Sequence, residues 1–495
     1  MIRIARPWAS RVAAVPMGAL LALLAAPLFV LIKHVSADRL ATDWVSFGRT
    51  LGFALTGATV ATITGGAIGV LLGTREVPGR RALFVLAVVP VAAPPAFWWL
   101  GATRVTSLLG NVTGPWAAAA IAGFALAPIA LLLVTAALRQ LPTHLYDAAR
   151  VALPPMTRAR VVLLPLLGSA LAGGFVLTVI LLLGESELPF LFGFRTVMTD
   201  IVTTFAQSFD IRQTLPLVVP LLVAILVLGV LTARPLLRTV LKSSRGGRGV
   251  TRTPGSAVLS LCAAAPAAGL LLSIGGYAWA ILKALPSASP RGLADATTVM
   301  VSIIEPVGCA WSAVTLTLAA AYPARRSSAM PAFLWLGLLL FCVPAAIYAI
   351  GWLGVGQILG GLPIPPIVAY TSRAVPLSML GFAVGYSRLP TSSEDAAALV
   401  GVSPVQRALL FVLPLIGWSL VAVSALIAAL TFADRDVASL LLPPGASRLT
   451  LNLYLASANA PSSTVGILAL TVLVGAVTSV TLAAAGPALL WRRRD

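Results

Sequence analysis

The sequence predicts an all-α membrane protein of about twelve transmembrane helices, built as two parallel six-helix repeats. Three observations carry that expectation. Hydrophobic residues make up 59% of the 495 residues and charged residues only 10%, with a mean hydropathy of +0.99; a soluble chain of this length needs far more charge to cover its surface. Apolar runs of about 20 residues, the length that crosses a hydrocarbon core, recur from end to end. Finally, the stretch YDAARVALPPMTRARVVLLP (146–165) is echoed by EDAAALVGVSPVQRALLFVLP (394–414), with Asp147 and Asp395 standing 248 positions apart, half a chain. Helices satisfy their own backbone polar groups within each segment, and the alternating, roughly ten-residue segments of a barrel are absent from the sequence.

The first span, near 12–33, follows the basic start MIRIARPWASR. It is long for a signal-peptide core and no small-x-small cleavage site follows, so it reads as a retained span. Spans near 52–73, 82–101, 116–137, 161–183 and 214–236 complete the first half, residues 1–241. Prolines fall inside several of them, at Pro90, Pro94, Pro95 and Pro128, where each bends a helix and frees a carbonyl. Residues 242–256, which begin KSSRGGRGVTRTPG, read as a flexible cytoplasmic linker. The second half, 257–495, holds spans near 257–281, 298–322, 330–353 (with Pro344 inside), 364–386, 409–431 and 464–490.

The formal net charge is +19, but the arginines sit in short clusters between apolar runs. That is a topology signal rather than a nucleic-acid surface. With a cytoplasmic N-terminus, the inner segments hold 23 of the 34 Lys and Arg residues, among them Arg3, Arg6, Arg11, Arg325, Arg326, Arg388, Arg407 and Arg492 to Arg494. Both termini and both echoed stretches then face the cytoplasm, because an even number of spans separates the echoes. This is a repeat about an axis along the membrane normal. Cys262, Cys309 and Cys342 lie singly in apolar runs, as small buried residues do. His34 and His144 fall on opposite sides, which leaves no clustered set for membrane-embedded catalysis.

The repeated stretch has a mechanical logic. Two alanines beside an acid allow a short helix to approach another surface closely. Gly401 permits a sharp turn out of that helix, and Leu413-Pro414 suits the first turn of the next span. An ordinary helix-turn-helix at a membrane surface, its acid favouring a helix N-terminus, is the plain alternative; two copies on one side weigh against it. The pattern Glu394, Asp395, Ala396, Ala397, Gly401, Leu413, Pro414 resembles the EAA loop of importer permeases of the ATP-binding-cassette class. Asp147, Ala148, Ala149, Leu164 and Pro165 match it too, although Leu153 stands at the glycine position and the loop is one residue shorter. The segment ADRDVASLLLPPGASRLTLNLYLASANA (433–460) is similar to fused permeases of the ferric-iron, thiamine and polyamine importers, and 182–210 is its first-half counterpart.

The resemblance implies a transport subunit in the bacterial inner membrane, without catalysis of its own. Its partners would be two copies of a cytoplasmic ATPase docking on the loops, a substrate-binding protein outside, and the lipid bilayer. No GxxxxGK[ST] loop occurs, so ATP would be used by the partner subunits and no cofactor is expected here. Ferric iron is the first expectation for cargo; thiamine, polyamine, phosphonate and sulfate-like anions are the alternatives. An ion-coupled secondary transporter, also commonly twelve spans in two halves, is the competing class.

Ionisable groups at membrane depth are costly and mark pathways. Glu305 and Arg373 lie inside predicted spans; they read either as an interhelical pair lining the pathway or as side chains snorkelling to water. Glu185, Glu187, Asp434 and Asp436 flank matching span ends and predict an acidic outer rim. Such a rim attracts cations or docks a binding protein; a solvated loop is the bland reading.

Overall fold

A computed structural model of the protein describes residues 14–33, 43–76, 78–80, 82–83, 93–106, 114–138, 143–244, 253–254, 295–389 and 391–492. The predicted span 257–281, most of the linker, Cys262, His34, Pro90 and the terminal arginines Arg3, Arg6, Arg11, Arg493 and Arg494 lie outside the described residues. In chain order the helices are α1 (Val15–Lys33), α2 (Trp44–Thr74), α3 (Pro95–Thr106), α4 (Pro115–Leu138), α5 (Thr143–Ala152), α6 (Pro155–Arg158), α7 (Leu164–Leu183), α8 (Glu187–Leu191), α9 (Val197–Ser208), α10 (Ile211–Ser244), α11 (Ala296–Ala324), α12 (Met330–Phe341), α13 (Ala345–Ile358), α14 (Pro366–Tyr386), α15 (Thr391–Leu399), α16 (Pro404–Arg407), α17 (Leu413–Ala433), α18 (Asp436–Leu441), α19 (Leu449–Asn459) and α20 (Ser462–Arg492). Five-residue π segments, Ala159–Leu163 and Ala408–Val412, lead into α7 and α17.

Eight helices among the described residues are long and apolar enough to cross a membrane, or nine if a bent pair is counted as one span. The chain is thus a multi-pass, all-α membrane protein. The run 330–353 is bent at the proline inside it: α12 and α13 meet at 97°. Pro344 lacks an N–H and pushes the residue before it out of the helical region, and it sits at the N-cap of α13 with ψ 145°. Pro128, by contrast, is carried inside the continuous helix α4.

The chain divides into two compact units. One comprises Ser36–Leu293 and Asn452–Thr471; the other comprises Met1–Val35, Ala294–Leu451 and Val472–Asp495. In the first, α2, α4 and α7 pack on one another and α10 packs on α7, α9 and α4. The face of α2 toward α4 carries Gly57, Ala61, Gly65 and Gly69, a small residue every fourth position, the pattern that lets membrane helices approach closely. An added Cβ at Gly65 would run into the Ala127 carbonyl, and one at Gly123 on α4 would lie 2.7 Å from the Val60 Cβ. Residues 75–76 also pair in parallel with 253–254, so this end of the predicted linker is ordered against the end of α2.

In the second unit α11, α14 and α17 form the core, and α12 and α13 pack on α14. Helix α1 packs here, against α11, α12 and α13. The Tyr348 hydroxyl donates to the Leu24 carbonyl, and Gly351 lets Pro27 come close, since a Cβ there would lie 2.7 Å from the proline's. The first span therefore belongs with helices drawn from the latter part of the sequence.

The close α2–α4 crossing gives a signed prediction. Gly65→Ala destabilises the protein by about 1–3 kcal/mol through overpacking, although alanine is the better helix former. Gly48→Ala, where a Cβ meets nothing within 4 Å, shifts stability by less than ~1 kcal/mol. Thermal unfolding in detergent micelles compares the two; equal melting points would refute the tight crossing.

Candidate functional site

The second echoed stretch forms α15, a turn, the short α16, the π segment and the start of α17. Its turn is set by Gly401, at φ +83°. The Gly401 N–H donates to the Ala398 carbonyl at 3.2 Å and the Val402 N–H to the Ala397 carbonyl at 3.1 Å, the pair of bonds that closes a helix on a left-handed residue. Ser403 and Gln406 then cap α16 reciprocally. The first stretch ends α5 differently. Leu153 precedes Pro154, which disfavours further helix at Leu153, and Pro155 opens α6 with no left-handed residue between. A proline thus ends the helix that Gly401 ends in the second stretch.

Within α15 the buried residue is Glu394, at 6% side-chain exposure; Asp395 is 36% exposed. Glu394 accepts from Arg325 Nε at 2.9 Å and from Arg325 Nη2. It also accepts from Arg326 Nη2 at 3.0 Å, the Tyr386 hydroxyl at 2.7 Å and the Tyr322 hydroxyl at 3.3 Å. Arg325 stacks on the Tyr322 ring, 3.8 Å from its centroid, and Arg326 Nη1 donates to Asp395 at 2.7 Å. One carboxylate therefore fastens α15 to the ends of α11 and α14. Burial by itself would raise its pKa, but the Arg325 and Tyr386 hydrogen bonds and the two guanidinium charges outweigh it and hold Glu394 at about 2. Ala397 is buried behind Glu394, while Ala396 faces outward. In the first stretch Asp147 is 44% exposed and lies 3.7 Å from Arg150.

Both short helices expose one large apolar residue four positions after the acid: Val151 at 92% and Leu399 at 83%, with Val400 beside the latter at 84%. Leu164 is exposed at 58%, Pro165 is exposed, and Leu413 and Pro414 are half-buried at the root of α17.

At the other end of the same helices lies a buried ionic cluster. Glu305 and Arg373 do not pair with each other. Glu305 on α11 meets Arg448 at 2.8 Å, and Arg373 on α14 meets Asp434 at 3.1 Å. Arg448 is 1% exposed and donates through Nη1 to the Tyr370 hydroxyl at 2.6 Å. Its Nε and Nη2, and Glu305 Oε2, have no hydrogen-bond partner among the described residues; the pair is held by charge, off the hydrogen-bonding line. Asp434 also accepts the Val437 N–H at 3.0 Å and so caps α18. Asp436 meets Arg435 at 2.8 Å. In the α2 unit Glu185 accepts from the N–H groups of Glu187 and Leu188, and Glu187 is 5% exposed. Of the residues read as an acidic rim, Glu187, Asp434 and Asp436 are largely buried, with Asp434 capping α18 and paired to Arg373 and Asp436 paired to Arg435.

One hydrogen bond recurs. Thr50 on α2 donates to the Ser46 carbonyl and accepts the Val197 N–H at 2.9 Å; Ser302 on α11 donates to the Thr298 carbonyl and accepts the Leu449 N–H at 3.0 Å. Both staples join residues 147 positions apart. The positions that match Glu305 and Arg448 in the first copy are Phe53 and Thr196, neither of them charged.

The sequence reading did not single out Arg448; no local signal marks it, because its partners Tyr370 and Glu305 lie 78 and more positions away. A family described as binding-protein-dependent transport system inner membrane component matches residues 65–234. The match takes in the first echoed stretch and not the second. It supports the reading of the chain as a permease of an ATP-binding-cassette importer, a transport membrane component that works with ATPase subunits and a substrate-binding protein. No curated protein matches the chain.

Two predictions follow from the side-chain chemistry. Arg448→Thr or Glu305→Phe alone costs about 3–5 kcal/mol, because each strands a buried charge. The double variant, with the residues of the first copy, recovers most of that loss in detergent unfolding; additive losses would show that the two residues act independently. For Glu394 the folded pKa lies below the unfolded value of about 4.3, so its contribution is complete above that value and disappears as the pH falls toward about 2. Hydrogen exchange of residues 391–402 should therefore stay protected from pH 8 to pH 5 and open below pH 4 in the wild type, whereas Glu394→Gln opens at every pH.

Proposed function

We propose that the chain carries two fused permease halves, 1–241 and 257–495 joined by 242–256, and that it transmits ATP hydrolysis in two partner ATPase subunits through the loops 146–165 and 394–414. The observation that carries this reading is the anatomy of α15. Its inner face is locked by Glu394, its exit is fixed by Gly401, and its outer face offers Leu399 and Val400 to water without a partner of their own. A lone helix gains nothing by exposing large apolar residues at a tip; a helix that inserts into a groove of another protein does. The recurrence of the π segment before Leu-Pro and of the 147-residue staple supports the two-repeat layout.

In the working cycle, closure of the ATPases on ATP pushes both short helices. Because α15 is fastened to the end of α11 by ion pairs and to α14 by the Tyr386 hydrogen bond, the push moves those spans as one body, and a central cavity opens outward beneath a loaded binding protein. Glu305 and Arg373, each paired, belong to the outer ends of the moving spans, where the ionic cluster keeps the outer loops attached. Placement in the bacterial inner membrane with both termini cytoplasmic follows the arginine distribution of the sequence. Ferric iron as cargo rests on the likeness of 433–460 to fused permeases. Identifying the ligand that co-purifies with the partner binding protein decides between it and thiamine, polyamine or phosphonate.

The test is disulfide cross-linking. Val151→Cys and Leu399→Cys should each cross-link to the ATPase subunit in membranes, and Leu399→Asp should reduce ATP-driven uptake at least about tenfold, the loss of one buried apolar anchor. Uptake that proceeds with no nucleotide-hydrolysing subunit, or absence of both cross-links, would end this reading.

A further inference from the structure

We propose that a cavity at the root of the second loop binds one anionic phospholipid, its acyl chain inside the cavity and its phosphate at Arg407; this rests on the importer reading above, which puts this end of the spans at the inner leaflet. The cavity measures ≈ 300 Å³ and lies wholly within one unit, between α11, the π segment with the start of α17, and α20. Its walls include Trp311, Leu318, Leu409, Leu413, Pro414 and Pro487. That volume is at the lower bound of sites that enclose a small ligand, and an apolar cavity favours hydrocarbon over water.

Two features of the chain create it. The π segment inserts an extra residue into the helical turn, and Leu409 and Leu410 stand out at 51% and 48% exposure. On the facing wall Trp311 donates its indole N–H to the Ala483 carbonyl at 3.2 Å. The ring lies against Gly486, where a Cβ would be 2.6 Å from the indole nitrogen. The indole thus occupies the crossing of α11 and α20.

The charge that immediately precedes the π segment of the cavity wall chooses the headgroup. Arg407 directly precedes the π segment, and no carboxylate among the described residues pairs with it. Its charge reaches Tyr322, one helical turn beyond Leu318 on α11. A cation next to hydrocarbon at the inner leaflet attracts an anionic lipid headgroup. A free phosphate would satisfy the charge and leave the cavity empty, whereas a phospholipid satisfies both.

Mass measurement of the intact, delipidated full-length chain tests this directly. The probes are phosphatidylglycerol, phosphatidylcholine and inorganic phosphate. The wild type should retain one phosphatidylglycerol, in preference to phosphatidylcholine, and no phosphate. Thr315→Trp and Leu318→Trp, which fill the cavity, should weaken retention about tenfold, as expected when about two methylenes are shut out. Arg407→Gln should abolish the preference for phosphatidylglycerol. Equal retention by the wild type and both tryptophan variants, each shown to be folded by its melting curve, overturns the proposal, and so does equal binding of the two lipids by the wild type. Neither outcome touches the cross-linking of Val151 and Leu399 to an ATPase, so the lipid site and the importer reading fail separately.

Discussion

Inside a bundle of apolar helices no water is available to satisfy a stranded polar group, and most of the specific contacts in this protein answer that constraint. A helix that begins at membrane depth presents unpaired N–H groups. Thr50 and Ser302 supply the missing acceptor for the starts of α9 and α19, and each hydroxyl passes its own proton to a carbonyl one turn back. The same logic forces Arg448, a guanidinium at 1% exposure, to be neutralised by Glu305 and to use the Tyr370 hydroxyl. Once these bonds are made, the loop after α18 is held to α11 and α14, and the ionic cluster becomes a fixed part of the fold.

The opposite end of the same helices solves a different problem. On the proposed reading, a loop that transmits a push must be stiff toward its own spans and sticky toward its partner. Glu394 provides stiffness: it gathers Arg325, Arg326, Tyr322 and Tyr386 onto one carboxylate, with the strength of charge-assisted hydrogen bonds. The exposed Leu399 and Val400 provide the sticky face. The two properties lie on opposite sides of one nine-residue helix, which its 3.6-residue period makes feasible. The first loop follows the same order of elements with a more open acid, Asp147, and with a proline where the second has glycine.

How much of this was legible depended on range. Eight or nine of the predicted spans followed from hydropathy, and the turn at Gly401 from the need for a left-handed residue, because both are local properties. The stretch containing Glu394 was also singled out, but the weight fell on Asp395, the acid that fits the repeated pattern. Which of two adjacent acids is buried depends on where Arg325 and Arg326 stand, almost 70 positions away. The bend at Pro344 was visible as a proline inside an apolar run; its size, 97°, was not, because a proline can equally be carried inside a helix, as Pro128 is.

By itself the sequence determined that this chain spans a membrane many times as helices, and that it repeats an acidic, small-residue loop half a chain apart. These are consequences of composition and of short-range backbone chemistry. The tertiary structure alone decided the pairings: Glu305 with Arg448 rather than with Arg373, Asp434 with Arg373, and α1 against α11, α12 and α13 instead of the helices that follow it. Charges attract any opposite charge that packing brings within reach, and apolar helices fit any apolar face of matching shape. Only the three-dimensional arrangement of the backbone selects the partner.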